Sequence, residues 1–232
     1  MRITETTTIA DIVNALPSSV RVFQRQGIDF CCGGKKPIGT VCQERGLNFI
    51  DVASAIEASR ETVEETRDWW QEPLRAVIEH IVTTYHNPLR EELPRLQVMA
   101  SKAARVHGGN APHLARLETT LTKLSADLVA HMWKEEMVLF PAIASVETDG
   151  RQSFPIAIPI ACMEREHDHA GELLADLRCL TDGYEVPEWG CATVRALYHG
   201  LAELESSMHL HVHLENNVLF PRALKVSQGV SA

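Results

Sequence analysis

The amino-acid sequence predicts an all-α protein, a four-helix up-down bundle preceded by a small helical N-terminal domain. Three observations carry that prediction. From Pro73 onward four long segments keep their apolar residues at 3-4 spacing, separated by Gly/Pro-rich breaks at 106–113, 147–155 and 181–190. Before them, residues 1–58 hold only short helical stretches cut by turn residues. Strand-like alternation is nearly absent. A long helix with one apolar face must bury that face, and four such helices bury it against one another. The expected organisation is 1–58, a small helical domain with a Cys31-Cys32 motif; 59–72, a charged linker or helical lead-in; and 73–226, the bundle.

The short elements follow in order. Ile9 to Leu16 reads as a first helix ended by Pro17, which cannot continue one. Ser18 is placed to cap a second helix from Val20 to Gln26, which Gly27 stops. Pro37 opens a third that Gly46 closes, and Phe49 to Ile56 is a further weak helix.

Composition narrows the function classes. The 232 residues, 45% apolar and 23% charged, are enough to bury a core without staples. The 22 basic and 31 acidic residues leave a formal charge of −9, which argues against a nucleic-acid surface and against adhesion to an anionic membrane. No apolar run approaches the roughly 20 residues of a membrane span. The opening MRITETTTIADIV lacks the apolar stretch of a signal peptide, so the expected location is the cytoplasm. Against this ordinary background the chain carries 6 Cys and 11 His.

An internal repeat organises the histidines. His131-Met-Trp-Lys-Glu135 leads to Val138-Leu-Phe-Pro141, and 80 residues later His211-Val-His-Leu-Glu215 leads to Val218-Leu-Phe-Pro221. A fainter correspondence pairs His86 with His167 at an offset of 81. The second half of the bundle therefore reads as a copy of the first, two helices each. One seam runs Leu114, Leu117, Leu121, Leu124, Leu128, His131, Glu135, Val138; its counterpart runs Leu197, Leu201, Leu204, Met208, His211, Glu215, Val218. A third reads Ile160, Met163, His167, Ala170, Leu174, Leu177, and a fourth Val82, His86, Leu89, Leu93, Leu96. All four histidines and both glutamates thus point at the core.

A lone buried carboxylate costs several kcal/mol, and each unpaired buried polar group roughly 1–3 kcal/mol. Six such groups at symmetric positions are tolerable only if something satisfies them together, and metal ions do so. Four imidazoles and two carboxylates without a thiolate exceed one tetrahedral zinc. If both carboxylates bridge two six-coordinate ions, each ion has two His and two Glu oxygens, an oxo or hydroxo bridge adds a fifth ligand, and about one position stays open. That describes a binuclear non-haem iron centre, with manganese as the weaker option and O2 or NO as the small ligand.

The other histidines and the tryptophans are weighed the same way. His209 and His213 lie two residues from His211 and so face away, to the surface, as do His169 and His199. His80 supports the site or simply packs in the core; Tyr85 and Glu166 neighbour ligands and can tune them. Trp69 and Trp70 read as packing at the domain junction. Among the cysteines, Cys42, Cys162, Cys179 and Cys191 read as core residues, whereas Cys31 and Cys32 are adjacent in DFCCGGKK. A disulfide between neighbours would strain the peptide joining them. Two readings remain for that pair: a flexible dithiol made reactive by Lys35 and Lys36, or two small residues buried at a turn.

TYH, HMWKEEMVLFP, EREHDHAG and HLHVHLENNVLFPRAL, together with DFCCGG, closely resemble the iron–sulfur cluster repair di-iron proteins, the RIC or ScdA family, over essentially the whole chain. The resemblance implies a haemerythrin-like bundle with His86, His131, Glu135, His167, His211 and Glu215 as ligands and Glu135 and Glu215 bridging. Oxygen-carrying haemerythrins use more histidine and an aspartate, so the pattern argues against simple O2 transport. The family is implicated in restoring iron–sulfur clusters after nitrosative or oxidative stress and in reacting with NO, and its CC pair, here Cys31 and Cys32, is thought to belong to a mobile domain that can approach the di-iron centre. The expected function is thus iron donation to damaged clusters, with Cys31 and Cys32 in a transfer or redox role. The alternatives are an NO-reducing enzyme and a sensor or buffer that binds NO. Damaged iron–sulfur proteins and a second copy of the chain are the expected partners.

Overall fold

The computed structural model describes residues 2–59, 68–149 and 155–228. Most of the expected linker, 60–67, and the centre of the second break, 150–154, lie outside the described residues. All elements among the described residues are helical, joined by turns and one isolated bridge between Thr8 and Pro37. The chain gathers into two compact units, Met1–Val77 with His209–Ala232, and Ile78–Met208.

In the first unit, α1 (Ile9–Ala15), α2 (Val20–Gln26), α3 (Ile38–Arg45) and α4 (Phe49–Ala58) form the small helical domain. Gly27 and Gly46 end α2 and α3 in left-handed conformation. Thr8 caps α1 by accepting the Asp11 N–H, and Asn48 caps α4 by accepting that of Ile50. Ser18 does not cap α2. It lies in a 3-10 turn, Pro17–Ser19, and its hydroxyl meets that of Ser59 at 3.0 Å. Ile9, Ile12, Phe23, Phe30, Ile38 and Ile56 are fully buried among these helices, and Leu210 packs against them.

The second unit holds α6 (Asn87–His107), α7 (His113–Lys134), α9 (Ala157–Leu180) and most of α10 (Ala192–Leu214), with α8 (Phe140–Asp149) extending α7 and α5 (Leu74–Ile81) leading into α6. The seam leucines of α6, α7, α9 and α10 are buried, each contributing about 1.5–3 kcal/mol. Tight approach is visible at Gly200, where any β-carbon would meet Leu96 of α6.

Among the described residues three segments widen from α-helix into a single π turn: Val82–His86, Glu135–Leu139 and Glu215–Leu219, the last followed by α11 (Phe220–Ser227). Each π turn ends two residues before a proline, Pro88, Pro141 or Pro221. Proline offers no N–H and crowds the carbonyl four residues back, which favours a widened turn there. Pro94 sits inside α6 without one, so proline alone is not the signal. The extra residue shifts the helical phase, and Val138, expected in the core, is exposed while Leu139 is buried.

The expectation for the cysteines also fails in part. Of the four cysteines read as core, only Cys42 is buried; Cys162 is half-buried, and Cys179 and Cys191 are exposed. Cys179 falls off the buried stripe of α9, and Cys191 sits where α10 begins, its carbonyl accepting the Arg195 N–H.

Candidate metal centre

In the second unit the fold brings four of the expected ligands together. His86 ends the first π turn, His131 lies in the last turn of α7, Glu135 opens the second π turn, and His167 faces them from α9; all four are buried. The Glu135 Oε2 lies 3.3 Å from His131 Nε2 and 3.5 Å from His86 Nε2. His167 Nε2 is 3.0 Å from His131 Nε2.

The outer nitrogens are held by carboxylates. His86 Nδ1 meets Glu136 Oε1 at 2.7 Å, and His131 Nδ1 meets Glu166 Oε2 at 2.9 Å. A ring that donates its Nδ1 proton outward turns the lone pair of Nε2 inward and becomes a better ligand. Burial pushes Glu136 and Glu166 up, but the Arg90 guanidinium with His86, and the Lys134 ammonium with His131, hold them below the usual carboxylate range. Both stay ionised to receive those protons. Glu166 was legible as a neighbour of His167; Glu136 was not, because its partner His86 is 50 positions away. Tyr85 is buried and packs edge-on to His80.

These residues fit a cation. Glu135 is fully buried, and neither of its oxygens receives a hydrogen bond from any described residue. An ionised carboxylate in that setting costs several kcal/mol unless a positive charge sits beside it. A cavity of about 300 Å³ is lined by His131 and His167 with Lys134, Glu166, Asp127 and His169. It is large enough for a diatomic ligand and water to reach the imidazoles.

In the first unit His211 and Glu215 repeat the His131–Glu135 pairing, with Nε2 3.0 Å from Oε1 and both side chains fully buried. The outer side of this copy is covered. His213, expected at the surface, is buried: its Nδ1 is 3.2 Å from the Phe30 carbonyl and its Nε2 3.0 Å from Asn14 Oδ1. Burial pushes its pKa down to about 4, so it stays neutral. His209 is half-buried, edge-on to the Phe30 ring. The periodicity that turned His213 away from the seam was right, but the small domain packs on that face. Trp69 and Trp70 belong here too, the Trp69 carbonyl taking the Arg222 guanidinium at 2.7 Å and the Trp70 ring lying under Lys225.

The Cys31-Cys32 turn is held on both sides. Asn217 Nδ2 donates to the Cys31 carbonyl at 2.9 Å, the Ala10 N–H donates to the Gly34 carbonyl at 2.8 Å, and that of Lys36 to Gly33 at 3.0 Å. Gly34 fits closely here: a β-carbon would stand 2.6 Å from Asn217 Oδ1 and would displace that side chain. The thiols are 4.0 Å apart and unbonded. Of the two readings of the pair, activation by lysine does not hold for Cys31: the Cys32 sulfur, burial and Asp29 push it well above its ordinary pKa. Lys36 pairs instead with Glu44 at 3.0 Å. Asp29, whose carboxylate gathers the turn, was not singled out by the spacing.

An all-helical bundle with buried, carboxylate-supported His and Glu on its seams defines a cation-binding protein of the haemerythrin class, and a family model described as the hemerythrin HHE cation binding domain matches residues 77–223. A second model, ScdA_N, a domain of unknown function, matches residues 5–60. The chain is 37% identical to the iron-sulfur cluster repair protein YtfE of Pectobacterium atrosepticum, over 94% of this chain and 96% of that one. It is 40% identical to the protein of that name from Edwardsiella ictaluri and 39% identical to that from Cronobacter sakazakii, each over 93% of this chain and over 96% and 95% of theirs. The chain belongs to this family of haemerythrin-domain iron-sulfur cluster repair proteins. Its buried His and Glu residues fit a non-haem di-iron site.

Proposed function

We propose that the protein repairs iron–sulfur clusters damaged by nitrosative or oxidative stress, and that it does so by donating iron. The observation that carries this reading is Glu135: a dry carboxylate between His86 and His131, within a domain matched by a cation-binding family, in a chain similar to repair proteins over nearly its whole length. The proposed ligands are His86, His131, Glu135, His167, His211 and Glu215, with Glu135 and Glu215 bridging two irons rather than manganese.

When bound, the iron supplies labile, redox-active cations with room for a small ligand. The chain's own residues do the rest. Glu136 and Glu166 keep the Nδ1 protons of His86 and His131 outward, Lys134 neutralises Glu166, and the buried seam leucines exclude water. Cys31 and Cys32 are assigned a transfer or redox role. The test incubates iron-loaded protein with a nitrosatively damaged cluster enzyme. The reading requires activity to return faster than with the same concentration of free ferrous iron, and equal rates overturn it.

The cavity beside His131 and His167 favours a second reading, in which the protein binds or reduces NO. Evolution of N2O into the headspace of an anaerobic, reductant-fed reaction separates it from donation. We further place the protein in the cytoplasm, as a homodimer whose client is a damaged iron–sulfur protein; light scattering checks the dimer.

A further inference from the structure

The turn that carries the two cysteines has a chemistry of its own. Asp29, Cys31 and Cys32 offer a carboxylate oxygen and two sulfurs within 4.8 Å of one another. The sulfurs are 4.0 Å apart, and the Cys31 Sγ is 3.2 Å from Asp29 Oδ1. A tetrahedral cation with metal–sulfur bonds of about 2.3 Å and a metal–oxygen bond of about 2.1 Å sets its sulfurs about 3.8 Å apart and each sulfur about 3.6 Å from the oxygen. The sulfur–sulfur and Cys31 Sγ–Oδ1 separations stand a few tenths of an ångström from those values, and the Cys32 sulfur lies within 4.8 Å of the carboxylate. Far longer than a disulfide's roughly 2.05 Å, the sulfur separation leaves the thiols available as ligands.

The frame behind them is already built. The N–H groups of Cys31 and Cys32 donate to Asp29 Oδ1 at 2.9 and 3.0 Å, and that of Gly33 to Oδ2 at 2.8 Å, so the carboxylate is oriented before any cation arrives. Asn217 fixes the Cys31 carbonyl from the other side. An ionised carboxylate offers about four lone-pair directions, two on each oxygen; the Cys31 and Cys32 N–H groups occupy those of Oδ1 and the Gly33 N–H one of Oδ2, so the direction left for a metal is on Oδ2. Asp29 is exposed and Cys32 half-buried, so the face opens to solvent, which supplies the fourth ligand.

We propose that Asp29, Cys31 and Cys32 form a mononuclear site for one thiophilic divalent cation, such as Zn2+, Co2+ or Fe2+, separate from the His and Glu residues of the haemerythrin domain. On binding, each thiol gives its proton to water and forms one metal–sulfur bond, so one cation replaces two S–H protons and no electrons move. Two soft thiolates select transition metals over Mg2+ or Ca2+. The site stands whether or not the haemerythrin domain gives up its iron.

The experiment titrates the reduced, full-length protein with Co2+ under anaerobic conditions and reads the thiolate-to-cobalt charge-transfer absorption in the near ultraviolet, which imidazole and carboxylate ligands do not produce. The expected result is one equivalent per chain, lost in Cys32→Ser, whose half-buried side chain is replaced by a near-isostere, and displaced by Zn2+. Asp29→Asn weakens cobalt binding at least tenfold, and so does Asp29→Ala should the Asn variant retain the turn. Bound Zn2+ also protects Cys31 and Cys32, but not Cys179 or Cys191, from iodoacetamide. Absence of the band, its persistence in Cys32→Ser, or unchanged affinity in both Asp29 variants overturns the proposal.

Discussion

Residues 129–141 and 209–221 carry the same motif 80 positions apart, one in each compact unit, and they differ most on their outer side. On the inner side they match: a buried histidine, a buried glutamate four residues on, a π turn opening at that glutamate, and a proline. On the outer side the first copy presents Val129, Trp133 and Met137, exposed by 52%, 62% and 62%. The equivalent positions of the second are His209, His213 and Asn217, which meet the Phe30 ring and the carbonyls of Phe30 and Cys31. A helix face that receives backbone carbonyls needs donors, because a carbonyl buried without one costs about 1–3 kcal/mol. The inner face answers to a metal centre, the outer face to whatever packs on it.

This contrast can be broken by substitution, and the largest effect falls on the covered copy. Gly34→Leu drives a side chain into Asn217 and displaces its hydrogen bond to Cys31; the expected loss is about 3 kcal/mol in urea denaturation. His213→Ala removes the one N–H that its neutral ring offers to the Phe30 carbonyl or to Asn14 Oδ1 and is expected to cost about 2 kcal/mol, whereas its equivalent Trp133→Ala stays within about 0.5 kcal/mol. Equal costs for the two would show that the outer faces do not differ as described.

On the inner side, Glu166→Gln removes the charge that receives the His131 Nδ1 proton and is expected to weaken metal retention about 10-fold or more, read by competition with a chelator, while the urea midpoint barely moves.

The smallest effect contrasts the thiols of the two units. Cys191, at the start of α10, has its pKa lowered to about 7 by the Val194 N–H and by His107, whose Nε2 is 3.3 Å away. Its alkylation by iodoacetamide should rise with pH and reach half its plateau near pH 7, since only the thiolate reacts. His107→Ala should move that midpoint upward. Cys31, buried beside Cys32 and Asp29, should be labelled far more slowly at the same pH. Mass spectrometry of peptides labelled between pH 6 and 9 reads both.

Much of the candidate site was legible because polar residues on apolar seams show up in helical periodicity. His86, His131, Glu135, His167, His211 and Glu215 stand out as polar residues on apolar seams, and all six are buried. Glu136 was not legible, since adjacency to Glu135 says nothing about a histidine 50 positions earlier. Val138 was misplaced because a 3.6-residue period has no room for a π turn.

The sequence by itself determined the all-helical architecture, the small domain's helices and the inward-facing pattern of His and Glu, because each is a local property of spacing, caps and breakers. Only the tertiary structure decided that His213 is buried, that Lys36 pairs with Glu44 instead of activating a thiol, and that Asp29 gathers the Cys31-Cys32 turn. Those outcomes depend on which surfaces and side chains meet, and periodicity along a helix shows where a side chain points but not what arrives there.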